Sequence, residues 1–272
     1  MMENSPVNTT YTPLVGPPPV EVPLRDAPLI RVIGQVRFPL IASLEKRDFV
    51  GAFQEAIRAD YPVLRPEQNR GISLGPQGVV SELSNTIWRF HDVNSEWRLS
   101  LAPDFLALET TRYISRIDFL DRFERVLEAL RVHVNPGVID RLGMRYIDRL
   151  VGENLKELPK LIRAEVAGVM GTSLAKDTQL TIAENVFNLT EESGQLKARW
   201  GMLPANATVD PSAIDAIGET SWILDLDAFA SETRPFQIEP IMKQANSFAE
   251  RLYSFFRWAT TDEFLIRYGG QP

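Results

Sequence analysis

The chain has 272 residues, 44% of them apolar, which is enough to bury a sizeable core in one large domain or two small ones. It contains no cysteine, excluding disulfides, thiolate nucleophiles, iron–sulfur clusters and cysteine-containing zinc sites. A formal charge of −7 opposes indiscriminate attraction to nucleic acid or anionic membrane, and no stretch approaches the roughly 18 uninterrupted apolar residues a membrane helix needs.

The opening MMENSPVNTTYTPL has no basic start followed by an apolar core, so a cytoplasmic protein without membrane attachment is expected. Residues 1–28 hold seven of the nineteen prolines and show neither helical nor strand periodicity. They read as an extended arm or linker, with a polyproline segment offered to a partner as the functional alternative.

Folded structure is expected from Leu29. Leu29 to Phe38 alternates as a strand, with Val32, Gly34, Val36 and Phe38 on one face and Arg31, Ile33, Gln35 and Arg37 on the other. Ser43 is a plausible N-cap for a helix carrying Phe49, Phe53 and Ile57 and ending at Pro62. Strands follow at Thr86 to His91, Glu96 to Leu101 and Phe105 to Thr111, with a turn at Asp92 to Ser95. Ser115 and Asp118 open a helix to His133 whose apolar stripe is Phe119, Phe123, Val126, Leu127 and Leu130.

The second half repeats this order. Strand Val138 to Leu150 leads to a helix from about Pro159 to Met170. Strands near Gln179 to Phe187, Gln195 to Leu203 and Ser221 to Phe229 follow, then helix Ile238 to Ala259 and a short terminal helix opened by Thr261. The expected fold class is α+β. Two similar strand-helix-three-strand-helix halves, 29–134 and 135–272, form antiparallel sheet with helices on one face. The other face is expected to be open.

The most informative stretch is Val138 to Leu150 (VIDRLGMRYIDRL). Two-residue alternation puts Arg141, Arg145 and Arg149 on one strand face, opposite Leu142, Met144 and Tyr146. Arg37 shares the open face, and Arg89 with His91, or Arg98 with Ser100, would join it. Three guanidiniums in register call for carboxylates, an anionic ligand or solvent. The carboxylates nearest to hand are Asp225 and Asp227 in SWILDLDAF, which lie opposite the apolar face of Trp222, Leu224 and Leu226.

Three functions from different classes follow. The first is a non-catalytic binding or sensor protein in which Arg37, Arg141, Arg145 and Arg149 hold an anionic small molecule or nucleotide. The second is a protein-interaction scaffold or homo-oligomer with internal Arg–Asp pairs. The third is a metal-dependent, phosphate-processing enzyme using Asp225 and Asp227, which project the same way and could share a cation. No third ligand and no phosphate-holding loop can be named, so the sequence leans away from an enzyme and calls for no cofactor. Gly71-Ile72-Ser73-Leu74-Gly75 matches the nucleophile-elbow pattern in letters, but its flanks RPEQNR and PQG do not supply the strand and helix that geometry needs. Net negative charge and the absence of an aromatic base-stacking face argue against nucleic acid.

The combination of VRF, RLGMRYIDRL, WILDLDAF and FFRWATTDEFLIRYGG resembles a sporadically distributed family of uncharacterised prokaryotic proteins of similar length. The resemblance covers the chain after the proline arm. Its most specific element is a central RxGLRYxNR-like strand motif, in which Met144 here replaces Leu and Asp148 replaces Asn. It implies no activity or site residues, and a defence-associated role follows only by analogy with the sporadic distribution.

Overall fold

The computed structural model describes residues 12–75 and 78–272, with the side chains of residues 69–84 outside that description. The described residues form eleven strands and seven α-helices. The first half runs β1 (Leu29–Arg37), α1 (Arg47–Ile57), β2 (Val63–Gly75), β3 (Gly78–His91), β4 (Trp97–Ala102), β5 (Phe105–Thr110) and α2 (Arg116–His133). The second runs β6 (Val138–Ile139), β7 (Arg141–Val151), the single-turn helices α3 (Glu153–Lys156), α4 (Leu158–Leu161) and α5 (Ala164–Ala167), then β8 (Thr181–Leu189), β9 (Gly194–Leu203), β10 (Ser221–Ala230), β11 (Arg234–Pro235), α6 (Ile238–Ala259) and α7 (Asp262–Arg267).

Nine strands form one antiparallel sheet in the order β2-β3-β4-β5-β1-β7-β10-β9-β8, and β6 pairs with β11 separately. The expected antiparallel α+β architecture is therefore present, and the order repeats outward from the centre. β1 pairs with β5, the last strand of its own meander, β7 pairs with β10, the last of its own, and β1 and β7 join the two sets. Of the nine strands in this sheet the first half supplies five and the second four.

Strand alternation decides which side meets the helices. On β1, Val32 and Val36 are fully buried beneath α2, and Gly34 lies between them. A Cβ at Gly34 would stand 3.1 Å from the Phe119 ring and 3.3 Å from Phe123, so the missing side chain lets α2 seat closely. Phe53 of α1, Phe119 and Phe123 of α2, and Phe248 and Phe255 of α6 join the inward residues of the strands in one continuous core. Each such ring contributes roughly 1.5–3 kcal/mol by leaving water.

The structure adds to or departs from the sequence reading at four places. Ser43 is not a helix cap: Ala42–Glu45 is a separate 3-10 turn and α1 begins at Arg47, so Val50, Phe53 and Ile57 form its buried stripe and Phe49 is 37% exposed. The single helix expected over 159–170 is broken into turns, because Arg163 is extended and Gly168 takes φ +50°, outside the right-handed helical region. Strand β2 was hidden by Pro66 and by Gly71 and Gly75, but it is an edge strand, where a proline removes no ladder bond the sheet needs. The described part of the N-terminal arm is not a free linker. From Thr12 to Ala27 it lies as a strap across α6 and the C-terminal turn, with Val22 N–H donating to Tyr253 Oη at 2.7 Å and Asp26 N–H donating to the Tyr268 carbonyl at 3.1 Å. Arg251 of α6, 5% exposed, donates to the carbonyls of Pro13 and Gly16. An extended segment makes no hydrogen bonds within itself, so side chains and backbone of the body supply its partners. Among the described residues no helix is long and apolar enough to cross a membrane.

Candidate functional site

The sheet face turned away from the helices carries the arginines, and Arg145 stands on β7, near the middle of the sheet. Arg145 donates from Nε to Asp225 Oδ1 at 2.7 Å and from Nη2 to Asp225 Oδ2 at 2.8 Å, while its Nη1 reaches Asp210 Oδ2 at 2.8 Å. Arg199 of β9, directly opposite Asp225 in the ladder, donates to the same Oδ2 from Nη2 at 2.6 Å. Arg141 turns to Asp227 at 3.0 Å and to Gln35, and its guanidinium lies 4.8 Å over the Phe229 ring. It can lie back along its own strand because residue 143 is glycine: a Cβ there would meet Arg141 Nη1 at 2.6 Å. Burial opposes the charge of Arg145, but Asp225 and Asp210 hold its pKa above the ordinary arginine range. At Asp227 burial wins over Arg141 and Arg145, and its carboxyl is raised.

Arg37 sits apart, paired with Asp104 near the surface. Arg149 donates to the Asp215 carbonyl at 2.6 Å, and its Nε is buried without a partner. Beyond it the first-half strands carry a second charged group: Arg31 pairs with Asp215 at 3.0 Å and Glu109 at 3.8 Å, Arg98 pairs with Glu109, and Arg89 pairs with Glu67 at 2.7 Å and donates to Ser100 Oγ at 2.8 Å. Burial, then Arg89 and Arg31, lower Arg98 to about 10, and burial together with Arg65, Arg98 and Arg89 lowers His91. The structure thus gathers Arg141, Arg145, Asp225 and Asp227 into one network and Arg89, His91 and Arg98 into another, leaving Arg37 in neither.

Two expectations about this face are revised. It is not fully open: the β9–β10 connection, 204–220, folds across it, and Ala213 and Ile214 close a small second core over Ile147, Leu203 and Ile223. That connection also delivers Asp210 and Asp215. Nor do Asp225 and Asp227 present a shared chelating pair, because Asp225 is 1% exposed between two guanidiniums while Asp227 faces Arg141. Ser73 falls among residues whose side chains lie outside the description. Its backbone lies within β2, which stays paired with β3 to Gly75 across a register shift between Ser73 and Leu74, so no strand-to-helix elbow is formed there.

A different site lies on the helical side of β7. Between β7, the start of α2, α6 and the strap is a cavity of about 220 Å³, lined by Leu29, Tyr113, Tyr146, Asp148, Leu226 and Phe256, with Glu21 to Leu24 of the strap along one side. Tyr113 and Tyr146 meet hydroxyl to hydroxyl at 3.4 Å, and burial pushes Tyr113 up to about 12 and Tyr146 well above its usual value. Asp148 is 5% exposed, and no hydrogen bond or ion pair to its carboxylate is found among the described residues. Burial alone raises it to about 7. Arg116, the cation at the rim, is already held by Glu21 at 2.9 Å and Glu250 at 2.8 Å.

Of these residues, Arg199 and Asp148 were legible and missed. Alternation along β9 puts Arg199 outward between the inward Ala198 and Trp200, and on β7 it puts Asp148 in line with Tyr146, an acid on an apolar face. Asp210 and Asp215 carry no such signal, since they come from a connection without periodicity. Comparison with protein-family models and with curated proteins finds no match.

Proposed function

We propose that the protein is a non-catalytic small-molecule-binding protein, of the sensor or carrier kind, whose site is the cavity beneath the strap. The observation that carries this is the Asp148 carboxylate, buried on a central strand and without a side-chain partner where it opens on the cavity. An uncompensated buried carboxylate costs stability that asparagine or leucine would not, so its presence is accounted for if a ligand supplies its partner. Mostly apolar walls with a few convergent polar groups are the usual make-up of such a site. With both tyrosines held protonated, Asp148 is a single proton-active group, which suits binding better than a relay of proton transfers.

An anion on Arg37, Arg141, Arg145 and Arg149 would have to compete with carboxylates or a carbonyl already within hydrogen-bond distance of them, which favours the cavity over the arginine face. The test is mass spectrometry of small molecules released by denaturation from the purified wild type, Asp148→Asn and Arg145→Ala. A stoichiometric compound lost only from Asp148→Asn is expected. One lost only from Arg145→Ala would move the site to the arginine face.

A further inference from the structure

We propose that the cavity selects an organic ammonium, a positively charged nitrogen on an apolar body, with the nitrogen beside Asp148 and the body along Leu29, Leu226 and Phe256. This rests on the binding function above and names its ligand class. Three independent observations carry it.

The first is the charge around the cavity. Asp148 and Glu21 line it, and the one cation of the lining, Arg116, is shared between Glu21 and Glu250. Among the described residues no cation of the lining is left over for Asp148, so an anionic ligand would meet uncompensated repulsion at that end and a cation would meet attraction.

The second is the aromatic content of the walls. Tyr113, Tyr146, Tyr253 and Phe256 all line the cavity, and Tyr113 and Tyr146 are neutral phenols at the pH of a binding experiment, with burial raising both pKa values further above it. The electron-rich faces of neutral aromatic rings attract desolvated cations, and rings grouped around one carboxylate are a recurrent way to hold an ammonium. The third is the rim. Ile114, which also lines the cavity, is 71% exposed, and Ile117 one position into α2 is equally so. Exposed aliphatic side chains at the entrance, beside an Arg116 already paired with Glu21 and Glu250, suit a ligand with an apolar body.

The groups facing Asp148 are Tyr146 on its own strand, Tyr113 and Arg116 at the start of α2, Glu21 on the strap, Glu250 and Tyr253 on α6, and Tyr268 after α7. Asp148 is the one among them raised to near neutrality, at about 7. A cation therefore binds with release of a proton below that value and without release above it.

The experiment is calorimetric titration of the full chain at pH 8 with hexylamine, hexyltrimethylammonium, hexanol and hexanoate, repeated with Asp148→Asn and repeated at pH 6. Both ammonium compounds are expected to bind the wild type, hexanoate at least about tenfold more weakly. Asp148→Asn should weaken the ammonium compounds about tenfold or more and leave hexanol unchanged. For the wild type, affinity for the ammonium compounds should fall about tenfold per pH unit below 7, a readout that does not depend on how the variant folds. Hexanol or hexanoate binding as tightly as the amines, or ammonium affinity independent of pH from 6 to 8, overturns the ammonium assignment while leaving a binding cavity. Binding of none of the four overturns the cavity as a ligand site and the ammonium assignment with it.

Discussion

Arg145 does not pair with the residue opposite it. Its register partner across β7 and β10 is Asp227, but its guanidinium directs two of its three short bonds to Asp225, the diagonal neighbour two residues away, and the third to Asp210. Asp227 is thereby left for Arg141, and Arg199 fills the position opposite Asp225. A diagonal neighbour lies within reach of a side chain as long as arginine, and the offset lets one carboxylate fasten three strands, β7, β10 and β9.

Removing one partner of that pair should cost far more than removing an arginine from the same face at its edge. Arg145→Ala leaves Asp225, 1% exposed, with Arg199 as its remaining partner, and is expected to destabilise by about 3 kcal/mol. Arg37 and Asp104 have side chains 48% and 37% exposed, so Arg37→Ala should cost under about 1 kcal/mol. Urea unfolding midpoints of the two variants measure the contrast, and equal losses would refute it.

Asp148 makes stability depend on pH in the direction opposite to a salt-bridged aspartate. Its folded pKa, about 7, is above the ordinary 3.8, so between those values the folded chain holds a proton that the unfolded chain has released. Stability from this group is complete below about pH 4, falls as pH rises toward 7, and levels off above it. Asp148→Asn should remove the decline and be the more stable protein at pH 8, by up to about 4 kcal/mol. Thermal unfolding of both proteins from pH 4 to 8 checks the sign, and parallel curves would show that Asp148 titrates normally.

The Tyr253 hydroxyl ties the middle of the strap to α6. Tyr253 Oη accepts from Val22 N–H and donates to the Val20 carbonyl at 3.2 Å, so Tyr253→Phe should cost about 1 kcal/mol locally without disturbing the core. Faster hydrogen exchange confined to residues 17–27 is the expected signature, together with faster exchange of any ligand beneath.

Asp210 ties the β9–β10 connection to the sheet through Arg145, and it accepts from Ser212 Oγ at 2.6 Å within the connection itself. Burial works against its charge, but Ser212 and Arg145 hold its carboxyl below the usual range. Asp210→Ala should open the connection to proteolysis within 204–220 and destabilise by about 1–2 kcal/mol. Limited digestion with mass mapping locates the cut.

Much of this molecule was determined by local pattern. The alternation of Leu29 to Arg37 and of Arg141 to Leu150 decided which side chains face the helices, because a strand has a period of two and one face must be buried. Ser115 opening α2 and accepting from Asp118 N–H at 3.1 Å, and Thr261 accepting from Phe264 N–H at 3.2 Å, were legible for the same reason: a cap satisfies donors only a few residues away.

Only the tertiary structure decided what answers the arginines and what Asp148 faces. Asp210 reaches Arg145 from a connection without periodicity, and the strap that borders the cavity meets α6 more than 200 residues further along the chain. Such contacts depend on how elements dock across the sheet, and a period of two or 3.6 carries no record of docking. An acid on the apolar face of β7 is visible in the letters RYID; its solitude is a property of the space that the helices and strap leave around it.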